Sequence, residues 1–206
     1  MTQTGSFFAM TKTEEAELIQ SCLRGERSAQ QRLYNTYAGR MYAVCLRYCK
    51  SRAEAQDVLQ EGFIKVFENL KVFKQVCPLE AWIRRVMVNT ALKYLRSQKR
   101  SILYFVDMQD REQYTATVQD ESADLSLNQF TNEELVQAVQ QLATGYQLVF
   151  NLFAIEGYSH KEIAELLGIT ESTSKSQYMR ARKQLRLYLE QLQEANFSVI
   201  SLHESV

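Results

Sequence analysis

Proline occurs once in this chain, at Pro78, and glycine only seven times. Both break regular backbone, proline through its missing N–H and glycine through its conformational freedom. Their scarcity leaves long uninterrupted stretches and favours an all-helical fold. No apolar run is long enough to span a bilayer. Met1–Met10 has no basic stretch followed by an apolar core, so no export signal is evident and a cytoplasmic location is expected. Histidine occurs twice, at His160 and His203, far from Cys22, Cys45, Cys49 and Cys77. Those thiols are expected to be reduced. Cys45 and Cys49, spaced i, i+4, read as buried helix-face residues rather than metal ligands. There is no metal-ligand cluster, Gly-rich phosphate loop or nucleophile–base arrangement. Hence no catalytic residue, metal, cofactor or small-molecule substrate is expected. An excess of one charge is also lacking, with 24 basic and 24 acidic residues. Many nucleic-acid binders are basic overall, but the distribution of charge matters more than its sum.

What is present is helical patterning, sharpest over residues 158–189. Ser159 can cap a helix, and Glu162 three residues on can complete a capping box. Ile163, Ala164, Leu166 and Leu167 follow at helical spacing. Gly168 stands where that helix must stop, since Gly takes the left-handed conformation without steric cost. Ile169 returns to the core. Thr170 can cap a second helix, and Glu171 suits its positive N-terminal end. That helix begins with small polar residues and turns basic at Arg180, Arg182, Lys183 and Arg186. Caps, turn residue and charge agree on a helix-turn-helix, whose second helix would enter a DNA major groove.

At 206 residues the chain can hold one large or two small domains. Residues 1–13 are small and polar and read as disordered. Helices are expected from Glu14 to Arg24, from Ser28 to about Lys50, and after a cap at Ser51, with apolar faces that close one core. A break over 73–80 contains Pro78. The next helix, from Leu79 to about Lys99, packs through Trp82, Ile83, Val86, Met87, Ala91, Leu92 and Leu95. Its charges are nearly all basic: Arg84, Arg85, Lys93, Arg96, Lys99 and Arg100, which suits phosphate. Residues 101–130 lose this periodicity and turn acidic, as an interdomain linker would. Their charge offsets the basic faces on either side. Four more helices over 131–190 suffice for a second small domain. Residues 191–206 form a tail whose apolar end reads as docked. The expected fold is therefore all-α: two small helical domains, 14–100 and 131–190, joined by a flexible linker over 101–130.

Two patterns in these domains resemble one family. The first is Asp57-Val-Leu-Gln60-Glu61-Gly-Phe63-Ile-Lys65-Val-Phe67, then Phe73, Trp82-Ile83-Arg-Arg-Val-Met-Val88-Asn89-Thr90-Ala91 and Tyr94-Leu95-Arg96. It resembles the second conserved region of bacterial extracytoplasmic-function (ECF) sigma factors. The second is Gly157-Tyr-Ser-His-Lys-Glu162-Ile-Ala-Glu-Leu-Leu-Gly168-Ile, with Lys175-Ser176 and Arg180-Ala181-Arg182-Lys183. It is similar to their fourth region. Either block alone is moderate; both in this order are specific. The resemblance implies an alternative sigma factor, a non-enzymatic subunit that binds core RNA polymerase and promoter DNA. Many members are held inactive by an anti-sigma factor, which makes one a candidate partner here.

By the resemblance, Asp57, Gln60, Glu61 and Lys65 dock on the polymerase. These polar residues lie off the Val58/Leu59/Phe63/Phe67 stripe, as a partner-facing set must. Also by resemblance, Lys74, Gln75, Asn89, Lys93 and Arg96 serve the minus-ten element, where a flipped base needs a pocket and edge-reading donors. Trp82, on the apolar face, reads as core rather than as a stacking platform. Thr173, Lys175, Ser176, Met179, Arg180, Arg182 and Lys183 match positions used at the minus-thirty-five element. Lys175 and Arg180 can reach guanine or phosphate, while Arg182 and Lys183 suit phosphate. Ser172, Ser174 and Gln177 stand where the family usually has Gly, Val and Arg. There a distinct promoter preference or a weakened packing fit is expected, since Ser174 shares a buried face with Tyr178, Ala181 and Leu185. The rival reading, a helix-turn-helix regulator acting on operators without polymerase, leaves the Asp57–Arg100 pattern unexplained.

Overall fold

The computed structural model describes residues 10–98 and 130–203 of the chain. Eight α-helices and no strand occur among these residues, in agreement with the all-α expectation. They fall into two units: the described residues of Met1–Leu46 with Ser51–Lys93, and those of Arg47–Lys50 with Tyr94–Val206.

In the first unit, α1 (Lys12–Leu23) begins earlier than the apolar periodicity suggests. Thr11 accepts from the Glu14 N–H, and the Glu14 carboxylate accepts from the Thr11 N–H at 2.8 Å. Such a closed capping box stabilises a helix start by about 1 kcal/mol. Next come α2 (Arg27–Leu46) and α3 (Arg52–Asn69), the latter capped by Ser51, whose hydroxyl accepts from the Glu54 N–H at 3.2 Å. A 3-10 turn over Leu70–Val72 leads to the break before α4 (Leu79–Gln98). Leu33, Met41, Cys45, Val58, Val66, Leu79, Ile83 and Met87 have essentially no solvent exposure. Each large apolar side chain so buried contributes about 1.5–3 kcal/mol. Cys45 and Cys49 are wholly buried thiols, as their helical spacing suggests. Gly62 lets α3 and α4 approach closely, since a Cβ there would lie 2.2 Å from Met87 Sδ.

In the second unit, Thr131 and Glu134 form a capping box for α5 (Asn132–Gln141). Helix α6 (Thr144–Phe150) runs into a π-helical turn over Asn151–Ile155. Helix α7 spans His160–Leu167 and α8 spans Glu171–His203. Thus α8 continues through the region read from sequence as a tail. Phe130, Ala138, Val139, Leu142, Tyr146, Ala181, Leu185 and Leu189 form a core cluster. Residues 1–9, Lys99, Arg100, the linker over 101–129 and residues 204–206 lie outside the described set.

Candidate partner and nucleic-acid interfaces

Helix α3 buries Val58, Leu59, Phe63 and Val66, which turns Asp57, Gln60, Glu61 and Glu68 outward. Asp57, Gln60, Glu61, Ile64 and Glu68 recur at i, i+3, i+4, i+7 and i+11, the spacing of one helix face. Ile64 is 57% exposed amid these polar groups. Sequence reading missed it, although an apolar residue off the core stripe is the available signal. Lys65, assigned to the same surface, behaves differently. It is half-buried, pairs with Glu61 at 2.6 Å and donates to Thr90 of α4 at 3.4 Å. Its ammonium therefore ties α3 to α4.

On α4, Arg85, Asn89 and Lys93 are exposed at i, i+4 and i+8, with Arg96 exposed three residues further on. The predicted Asn89 and Lys93 thus share a polar, basic stripe, whereas Arg96, counted with the second unit, donates to the Leu166 carbonyl. Arg84 lies nearer Glu80, 3.9 Å away. Trp82 is half-buried, its ring 5.2 Å from that of Phe73, in keeping with a packing role. Lys74 and Gln75 lie on the exposed segment before α4. Gln75 is the only non-Gly residue with positive φ among the described residues, at 56°. Such a conformation costs a non-Gly residue about 1–2 kcal/mol. Val76 beside it is 87% exposed, a feature that composition alone does not reveal.

The helix-turn-helix forms from its local signals. Ser159 and Glu162 make both bonds of the capping box. Gly168 takes the left-handed conformation, φ 71° and ψ 35°. Thr170 accepts from the Thr173 N–H at 3.0 Å and so caps α8. Lys175, Met179, Arg182 and Lys183 are exposed, while Thr173, Ser176 and Arg180 are half-buried. The Thr173 hydroxyl bonds with that of Thr170 at 2.8 Å, and Ser176 donates to the Thr173 carbonyl at 3.0 Å. Lys175 pairs with Glu171 at 2.7 Å. The predicted residues therefore share one helix and a broad solvent-facing side of it.

Ser174 and Gln177 are wholly buried and cannot read DNA, so of the three departures only the exposed Ser172 can. The other two bear on packing. Ser174 Oγ lies 2.9 Å from His160 Nδ1, and the His160 ring stacks on Phe153 at 4.1 Å. The hydroxyl that replaces a packing methyl thus has a partner on α7. Gln177 has none: both its amide atoms are buried without a hydrogen-bond partner among the described residues. Gln177→Leu is expected to stabilise the second unit by about 1–3 kcal/mol, because it removes an unpaid desolvation cost. Hydrogen exchange of α8 amides should slow accordingly. Unchanged or faster exchange would contradict the packing seen here.

Burial lowers the His160 pKa below its ordinary 6.5, Lys175 lowers it further, and Glu171 opposes both. The folded chain then binds its proton less readily than the unfolded chain. This contribution to stability is complete above the unfolded pKa and is lost as pH falls through the folded one. From pH 7 to pH 5.5 the wild-type thermal midpoint should fall more than that of His160→Gln. Parallel curves would rule out this linkage. The lowered carboxylates of Glu14 and Glu171 act below this window.

Comparison with known proteins finds two conserved regions in the chain. The family model for sigma-70 region 2 matches residues 33–101, and that for sigma-70 region 4 matches residues 132–185. The ECF RNA polymerase sigma-E factor of Haemophilus influenzae is 28% identical over 178 residues, 84% of this chain and 93% of that protein. The RNA polymerase sigma-H factor of Pseudomonas aeruginosa is 28% identical over 188 residues, 89% of this chain and 97% of that one. The ECF RNA polymerase sigma factor SigW of Bacillus subtilis is 27% identical, with 84% and 96% covered. With both sigma-70 regions matched in order and ECF sigma factors among its relatives, the chain belongs to the ECF group of the sigma-70 family.

Proposed function

We infer that the chain works as an alternative sigma factor: it binds core RNA polymerase and directs initiation at a particular set of promoters. The observation that carries this is the ordered pair of sigma-70 regions in one chain, which a free-standing operator-binding regulator does not need. The exposed α3 stripe of Asp57, Gln60, Glu61 and Ile64 is the polymerase-docking surface, with Lys65 holding it against α4. Lys74, Gln75, Asn89, Lys93 and Arg96 engage the minus-ten element, the bases through Asn89 and the phosphates through the cations. The exposed side of α8 reads the minus-thirty-five duplex, where Lys175 and Arg180 supply donors for guanine and Arg182 and Lys183 clamp phosphates.

The polymerase performs the chemistry, and this chain contributes specificity. Its place of work is the cytoplasm, with polymerase and chromosome. Among the described residues no helix is long and apolar enough to cross a membrane. An anti-sigma protein that covers the α3 stripe would silence the factor by competing for polymerase. The direct test is co-elution: purified full-length chain and core polymerase should form a complex on size exclusion. Separate elution at micromolar concentration would remove the sigma assignment.

A further inference from the structure

Over residues 171–186, the stretch of α8 that carries the proposed reading residues, there is one acid, and it lies at the N-terminal end. Glu171, the first residue of α8, shares a line along the helix with Lys175 and Arg182, at i, i+4 and i+11. Its carboxylate is 2.7 Å from Lys175 Nζ, and the two side chains are 50% and 60% exposed. Thr170 caps the helix just before it, so the position of Glu171 is fixed by the turn.

A carboxylate carried into a groove walled by phosphates is repelled unless a donor meets it. In the major groove the donor matched to an acidic side chain is the cytosine N4 amino group. Lys175, held by Glu171 in the free chain, is at the same time withheld from phosphates that carry no sequence information. We propose that Glu171 is a specificity-determining residue that accepts from cytosine N4 at one position of the upstream element and thereby releases Lys175 to the DNA. This rests on the reading that α8 enters a promoter major groove. A purely structural role is the other source of such a pair, since an acid suits a helix start and i, i+4 pairs support helices. That role predicts a uniform effect on all sequences, whereas base reading predicts an effect at one position.

The test uses holoenzyme reconstituted from core polymerase and the full-length chain, with a template library randomised across the upstream element. Transcripts are sequenced for wild type, Glu171→Gln and Glu171→Ala. Wild type should favour cytosine at one position by about 5- to 150-fold, the discrimination of a single base contact. Glu171→Ala should erase that preference alone. Glu171→Gln should shift it toward adenine, whose N6 and N7 match an amide. The same motif for all three proteins, with output merely scaled, overturns the proposal. No template-directed initiation by any of them would instead remove the sigma reading itself, and the proposal with it.

Discussion

Asp57→Lys combined with Ile64→Asp should weaken binding to core polymerase by about 30- to 1,000-fold, the range of losing hot-spot contacts worth about 2–4 kcal/mol. Both side chains are exposed on α3, and Ile64 is an apolar group that the fold leaves 57% uncovered. Because neither fills the core, the thermal midpoint should move by little, in line with surface changes of about 0.5 kcal/mol. Core binding is measured by fluorescence anisotropy with a dye on Cys77, the one exposed cysteine among the described residues. An unchanged affinity would mean that polymerase docks on another face. Equal losses of affinity and stability would mean the α3 stripe is structural.

Lys175→Ala with Arg180→Ala should lower affinity for the upstream duplex by about 30-fold or more, since each base contact contributes about 1–3 kcal/mol. Core binding should be unaffected, because both residues lie on α8 of the second unit. The salt dependence separates two modes. If both contacts are to phosphates, the slope of log K against log salt falls by about 0.9 for each. If they are to guanine edges, specificity falls at two positions instead. A loss shared equally between duplex and core binding would identify a folding defect.

The helix-turn-helix was legible because its determinants are local. A capping box spans four residues, and a left-handed glycine ends a helix through its own backbone. Ser159–Glu162, Gly168 and Thr170 therefore behave as their chemistry dictates. The all-α, two-domain fold class was legible from periodicity and its loss, but the boundary of the two units inside α4, after Lys93, was not. The features that escaped depend on tertiary partners or on departures from the 3.6-residue repeat. The π turn over Asn151–Ile155 is invisible to a search for α-helical spacing. Ser174 looked like a weakened core residue until His160, fourteen positions away, supplied a hydrogen bond. For Gln177, promoter preference and weakened fit stay open from sequence, because its polarity hides the fact that it lies three residues from Ser174 and four from Ala181 on the buried face. Lys65 shares its register with the exposed stripe, yet its flexible stem turns the ammonium toward Thr90.

The same contrast separates the two surfaces of the first unit. The basic row on α4 follows from i, i+4 spacing and needs only a straight helix. The positive φ of Gln75 and the exposure of Val76 depend on how the chain leaves the 3-10 turn and enters α4, which no periodicity encodes. A non-Gly residue held in the left-handed region just before the basic helix makes this segment the part of the proposed minus-ten surface that is set by the fold rather than by composition.

The most direct measurement is to map transcript 5′ ends made from genomic DNA by core polymerase with and without the purified chain. The expected result is a discrete new set of start sites that share a two-part element. These should vanish with the Asp57→Lys/Ile64→Asp variant and lose their dependence on the upstream part with Lys175→Ala/Arg180→Ala. A chain that binds duplex DNA tightly by itself, yet adds no start sites to core polymerase, would contradict the sigma-factor assignment and restore the operator-binding regulator.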